Sequence, residues 1–209
     1  MKERFALMLV VFSLAIGFVP DVQAQDERLA AMMSDPASLK TAMEKGRKIS
    51  TFCANCHGDS GVSKIPAVPN LGGQNPDYVL EQTRRFGDGR RQDAFMQGLI
   101  RILTEDEKTQ LAIFYSNQDV PPNNNQPTVL VDKGRALFTR LCARCHLPTG
   151  HGSMTIPRLA GQHPEYVIMS VSRYRDNTGV RRDPLMSSAV AQMKDDDIKA
   201  VAAYVATLP

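Results

Sequence analysis

Along most of this 209-residue chain the apolar positions recur at intervals of three and four, not two, which is the period of a helix with one buried face. Ile198, Val201, Ala202 and Val205 fall at i, i+3, i+4 and i+7. Asp195, Asp196 and Asp197 stand just ahead of them, where negative charge suits a helix N-terminus. Thr104 followed by Glu107 reads as a capping box that opens a helix through Tyr115. Pro76 and Pro164 suit first helical turns, with helices expected over 78–86 and 166–174. Two more helices are expected over 40–52 and 132–141. No stretch keeps a period of two, so the fold class expected is all-α.

The N-terminus breaks the pattern. Lys2 and Arg4 precede an apolar run over 5–19, and Pro20 and the small-residue site Val22-Gln23-Ala24 follow it. At 15 residues the run is short of the roughly 20 that a membrane-spanning helix needs. It reads as a secretory signal over 1–24, cleaved after Ala24, with a retained anchor as the alternative. The segment has no cysteine to carry a lipid.

From there on the pattern is written twice. Lys45-Gly46-Arg47 returns as Lys133-Gly134-Arg135. Pro69-Asn70-Leu71-Gly72-Gly73-Gln74-Asn75-Pro76-Asp77-Tyr78-Val79 aligns without a gap on Pro157-Arg158-Leu159-Ala160-Gly161-Gln162-His163-Pro164-Glu165-Tyr166-Val167, and Asp93-Ala94-Phe95-Met96 on Asp183-Pro184-Leu185-Met186. The offset of 88 to 90 residues is too long for a solenoid and indicates a duplicated domain. Between the copies lies a stretch with Pro121-Pro122, Asn123-Asn124-Asn125 and Pro127, a composition that disfavours helix and strand alike. The expected organisation is an N-terminal domain over 25–116, a linker over 117–128 and a C-terminal domain over 129–209.

Charge separates the copies. Residues 25–120 carry 12 Lys and Arg against 13 Asp and Glu, and residues 121–209 carry 11 against 7, net −1 and +4. Such an asymmetry can orient the molecule in a partner's field. With no basic run, it gives no reason to expect nucleic acid as a partner.

All four cysteines lie in the motif that the copies share, Cys53-Ala54-Asn55-Cys56-His57 and Cys142-Ala143-Arg144-Cys145-His146. Two cysteines spaced by two residues and followed by histidine form the attachment pattern of a c-type haem: the thiols add to the porphyrin vinyl groups and the imidazole ligates the iron. The pattern occurs twice and leaves no cysteine over. It therefore predicts two covalently bound haem c groups, with His57 and His146 as one axial ligand each, in an exported protein of the periplasm.

For the opposite ligand, histidine is scarce, since only His151 and His163 remain and both are in the second copy. Methionine, whose soft thioether favours reduced iron, suits an electron carrier. Of ten methionines only Met96 and Met186 occupy equivalent positions in both copies. Each is expected on a loop after an arginine pair, Arg90-Arg91 or Arg181-Arg182. Met154 is a rival for the second iron, and Met193 reads as core. Backbone carbonyls at or beside Pro69 and Pro157 are the expected acceptors for the second imidazole nitrogen. Arginines 84, 85, 90, 91, 173, 181 and 182 are either propionate partners or solvated surface. His151 and His163 are expected on the surface.

The order CxxCH, Pro-x-Leu-x-Gly-Gln-x-Pro-x-Tyr, an arginine-rich loop with Asp-x-x-Met, and a last helix, written twice, resembles the dihaem cytochrome c4 family over about residues 45–208. The resemblance implies two tandem class I cytochrome c domains, with His57 and Met96 on one iron and His146 and Met186 on the other. It also implies a periplasmic electron carrier, soluble or peripherally associated with the membrane. Its partners would be a membrane quinol-oxidising complex as donor and a terminal oxidase or reductase as acceptor. Two features depart from the family pattern, the long segment 25–41 and Ile65-Pro66 ahead of Pro69. Two other functions fit the motifs: a dihaem subunit of a larger oxidoreductase, such as a flavocytochrome sulfide dehydrogenase, and a peroxidase-type haem enzyme with an open axial position.

Overall fold

The computed structural model describes the backbone of residues 21–209 and the side chains from residue 27 onward. The expected signal over 1–24 lies outside the described residues except for its last four, which begin the first helix. Among the described residues there are helices and no strand, apart from one isolated bridge between Ser153 and Ile156.

The first lobe holds α1 (Asp21–Met33), α2 (Pro36–His57), α3 (Pro76–Gly87), α4 (Ala94–Arg101) and α5 (Glu105–Ser116). The second holds α6 (Thr128–Leu141), α7 (Ala143–His146), α8 (Pro164–Arg175), α9 (Pro184–Val190) and α10 (Asp195–Thr207). Local chemistry sets most of the ends. Asp35 caps α2, its side chain accepting from the Ala37 and Ser38 N–H groups at 2.9 and 3.0 Å, with Pro36 in the first turn. The Thr104–Glu107 box is formed, Glu107 accepting from the Thr104 N–H at 2.8 Å and Thr104 from the Glu107 N–H at 3.3 Å. At α10 Asp197 accepts from the Lys194 N–H at 3.1 Å.

Two expectations change here. The helix foreseen over 40–52 runs on through both cysteines to His57, so in the first lobe the attachment motif is itself helical. In the second lobe the corresponding helix stops at Cys142, and α7 carries the rest of the motif. The loops foreseen at the two methionines are short helices, α4 and α9. Their caps, Asp93 and Asp183, accept from the Met96 and Met186 N–H groups at 3.0 and 3.1 Å. Eight and seven residues are too few for an apolar period to stand out; the aspartate three residues before each methionine was the readable signal.

Each lobe is built on one close helix crossing, α2 on α5 and α6 on α10. Glycine permits both. A Cβ at Gly46 would stand 2.2 Å from the Gln110 carbonyl oxygen, and one at Gly134 would stand 2.0 Å from that of Ala200. Around the second crossing, Phe138, Ile198, Val201, Tyr204 and Val205 form one continuous core. The first lobe divides its core. Leu111, Phe114 and Tyr115 form one cluster, and Ala42, Val79, Leu80, Ala112 and Ile113 form another, which α1 covers by burying Leu29. Arg28 pairs with Asp106 at the rim of that cover. The chain between the lobes is pinned, with Val120 buried and the Asn123 N–H donating to the Ala206 carbonyl at 2.7 Å.

Candidate haem sites

Helical spacing puts Cys53 and Cys56 on one face of the last turns of α2, directly before His57. None of the four cysteines is in a disulfide. Burial pushes the Cys53 thiol up, and Cys142 rises to about 11 through burial and the neighbouring Cys145. The Tyr115 hydroxyl is buried beside Cys53 and Ser50.

Both histidines are buried and held the same way. His57 Nδ1 lies 2.9 Å from the Pro69 carbonyl oxygen, and His146 Nδ1 lies 3.0 Å from that of Pro157. A carbonyl only accepts, so Nδ1 carries the proton and Nε2 keeps its lone pair. Burial pushes both imidazoles toward the neutral form. This is the state in which an imidazole ligates a metal.

The methionine segments lie close enough to act on these rings. The Arg91 charge lowers His57 further, and the Asp183 charge raises His146. Met96 and Met186 are both half-buried in the first turns of α4 and α9. Met186 packs on the same core cluster as Cys142, whereas Met96 is outside the first lobe's core clusters. Met154, the rival, is 72% exposed, and Met193 is buried in the core.

Between the lobes the repeat becomes a pseudo-twofold interface. Gln74 Nε2 donates to the Arg158 carbonyl at 3.0 Å and its Oε1 accepts from the Arg158 N–H at 2.8 Å. Gln162 does the same to Asn70, at 2.9 and 2.8 Å. Asn75 donates to the His151 carbonyl at 3.0 Å, and its counterpart His163 donates through Nε2 to the Ser63 carbonyl at 2.9 Å. His163 is therefore an interface residue rather than the surface residue expected; His151 is exposed. Arg91 donates to the Tyr166 hydroxyl at 3.0 Å, and Arg181 donates to that of Tyr78 at 2.7 Å and of Tyr166 at 3.1 Å. Although the ring of Tyr166 is partly exposed, its hydroxyl is enclosed. Burial would raise it, but the Arg181 and Arg91 guanidiniums outweigh that and hold it below the usual phenol range.

Arg181 is only 6% exposed, and among the described residues no carboxylate pairs with it or with Arg91. Arg181 is held by the hydroxyls of Tyr78, Tyr166 and Ser170, and Arg91 by that of Tyr166 and the Gln82 amide oxygen; positive charge with no carboxylate beside it suits an anion. The residues present thus fit a c-type haem in each lobe: unpaired thiols, an imidazole with a free lone pair, and arginines able to meet acidic side chains of the macrocycle. The interface glutamines and tyrosines were not singled out from the sequence, although their recurrence in the repeated motif was the available signal.

The family model described as "Cytochrome c" matches residues 131–209. Cytochrome c4 of Pseudomonas aeruginosa is 31% identical over 172 residues, covering 77% of this chain and 85% of that protein. The thiosulfate dehydrogenase electron acceptor of Thiomonas intermedia is 30% identical over 173 residues, covering 75% of this chain and 78% of that protein. The crystal structure of reduced recombinant cytochrome c4 from Pseudomonas stutzeri superposes with a TM-score of 0.72 at 27% identity, covering 79% of this chain and 98% of that one.

Proposed function

Since this chain belongs to the cytochrome c4 family, an all-helical family of electron-transfer proteins with two covalent haem c groups, we propose that it carries single electrons between redox proteins of the periplasm through two matched centres. Each centre is one cytochrome c domain, over 25–116 and 129–209, joined by 117–128. Cys53 and Cys56 attach one haem and Cys142 and Cys145 the other. His57 with Met96 would hold one iron, and His146 with Met186 the other. The haem supplies a one-electron couple; the chain supplies everything that keeps the ligand set unchanged as that electron comes and goes.

What this chain's residues do follows from their geometry. The proline carbonyls fix the proton on Nδ1 and the plane of each ring, so each Nε2 lone pair would be presented to an iron in a set direction. Asp93 and Asp183 cap α4 and α9 and set the height of each methionine. Arg91 and Arg181 hold positive charge between the lobes, where it would balance acidic groups of the cofactor. Filling the sixth position excludes oxygen, which favours electron transfer over turnover.

The observation that carries this reading is the duplicated imidazole, anchored at Nδ1 to a proline carbonyl and directly following two unpaired thiols. The test is haem content together with carbon monoxide binding by the freshly reduced, undenatured protein. Two haems per chain and no rapid CO complex are expected; strong CO binding would mean an open axial position and contradict the carrier reading.

Among the described residues no helix is long and apolar enough to cross a membrane. The finer assignment is a periplasmic protein, free or peripherally associated with the membrane, with a quinol-oxidising complex as donor and a terminal oxidase or reductase as acceptor. A second reading, a dedicated acceptor for one dehydrogenase, is favoured by the similarity to the Thiomonas protein. Purification of the native protein separates the two, because a stoichiometric dehydrogenase partner belongs only to the second.

A further inference from the structure

We propose that each lobe sets the redox balance of the other lobe's haem through one glutamine side chain, Gln162 acting on the His57 site and Gln74 on the His146 site. This rests on the haem reading above.

The Pro69–Asn70 peptide group has two polar ends, and both are engaged. Its carbonyl accepts from His57 Nδ1–H at 2.9 Å, and its N–H donates to Gln162 Oε1, in the other lobe, at 2.8 Å. The Pro157–Arg158 peptide group repeats the arrangement, accepting from His146 at 3.0 Å and donating to Gln74 Oε1 at 2.8 Å. One peptide thus stands between each axial histidine and a side chain of the opposite lobe. Because the peptide is conjugated, an acceptor at its N–H draws charge toward its oxygen and strengthens the bond that oxygen accepts. A stronger acceptor at Nδ1–H makes the imidazole the better electron donor at Nε2, which favours the oxidised, more positive state.

The glutamines are fixed for this work. Gln162 Oε1 accepts a second bond from the His163 N–H, and Gln74 Oε1 from the Asn75 N–H, both at 3.0 Å. Each Nε2 faces a carbonyl at 2.9 or 3.0 Å, so the amide orientation is determined at both ends. Both side chains are buried. Other interlobe contacts, such as Asn75 to the His151 carbonyl, hold the lobes together without touching either peptide.

The effect is crossed, and that makes it separable from general loosening of the interface. In the chain carrying both haems, Gln162→Leu is expected to raise the reduced-to-oxidised ratio of the first haem about threefold at fixed ambient potential and leave the second unchanged. Gln74→Leu does the converse. Gln162→Glu keeps an acceptor at the Asn70 N–H and adds negative charge, so it moves the first haem the other way. In the reduced protein, the His57 ring N–H proton exchanges faster in Gln162→Leu and the His146 proton does not. A shift in the haem of the substituted lobe, equal shifts in both, no shift, or the same shift from Asn75→Ala would overturn the proposal. A chain without two histidine-ligated haems would instead refute the reading it rests on.

Discussion

The two lobes are copies of one unit, and they agree in the contacts that hold the histidine and cap the methionine turn while differing in how the helices are covered. Both cross their long helices at a glycine, both bind a histidine Nδ1 to a proline carbonyl, and both cap the methionine turn with aspartate. Coverage is another matter. The second lobe closes over a single core, and its last helix buries Ala200, Ala202, Ala203 and Ala206. The first lobe has Ile113 in place of Ala203 and splits its core, and the added helix α1 lays Leu29 over the split. The long segment ahead of the first copy is thus part of the first lobe's packing. A site constrains the few residues that define it, and packing admits several solutions around them.

The strongest expected effect falls on what the lobes share. Gly46→Ala and Gly134→Ala each place a Cβ at about 2 Å from a backbone oxygen that belongs to a helix and cannot retreat. Each is expected to cost about 3 kcal/mol, in its own lobe, as measured by denaturant unfolding followed at that lobe's haem. Similar costs in both lobes support a common crossing; a tolerated substitution in either breaks the comparison.

Leu29→Ala probes what they do not share. It opens a cavity between α1 and the first lobe's core and should cost between about 2 and 3 kcal/mol there, with the second lobe's transition unmoved. If both transitions shift together, the lobes are stabilised as one body and α1 is not a local cover.

A smaller effect separates the residues directly after the histidines. Gly58 has φ 78°, and a Cβ there would stand 2.0 Å from the Val62 carbonyl oxygen; the second lobe puts Leu147 at the same place with φ 63°. Gly58→Ala should destabilise by about 2 kcal/mol. Leu147→Gly should stabilise by about 0.5 kcal/mol, the relief of left-handed strain exceeding the added chain entropy. Thermal midpoints of the two variants moving in the same direction would contradict this account of the turn.

Much of this was legible from the sequence because the chain states it twice. The period of the apolar positions revealed the long helices, and the repeat singled out Met96 and Met186 among ten methionines. The carbonyls of Pro69 and Pro157 were foreseen as acceptors because a ligating imidazole needs one and the motif holds proline at that point in both copies. What stayed hidden depends on contact between the copies. Gln74 and Gln162 are ordinary polar residues until the lobes meet and each finds a backbone in the other. His163 looked like surface for the same reason, since a single copy has nothing to cover it. The turns of α4 and α9 were missed because a short capped helix has no period to read.

The central claim, two matched centres each closed by a thioether, is tested most directly by the near-infrared thioether-to-iron charge-transfer band of the oxidised protein, measured for the natural chain and for Met96→Ala and Met186→Ala separately. The account predicts that each substitution removes about half of the band and that the two together abolish it. A band left whole by either substitution would show that another side chain closes that site.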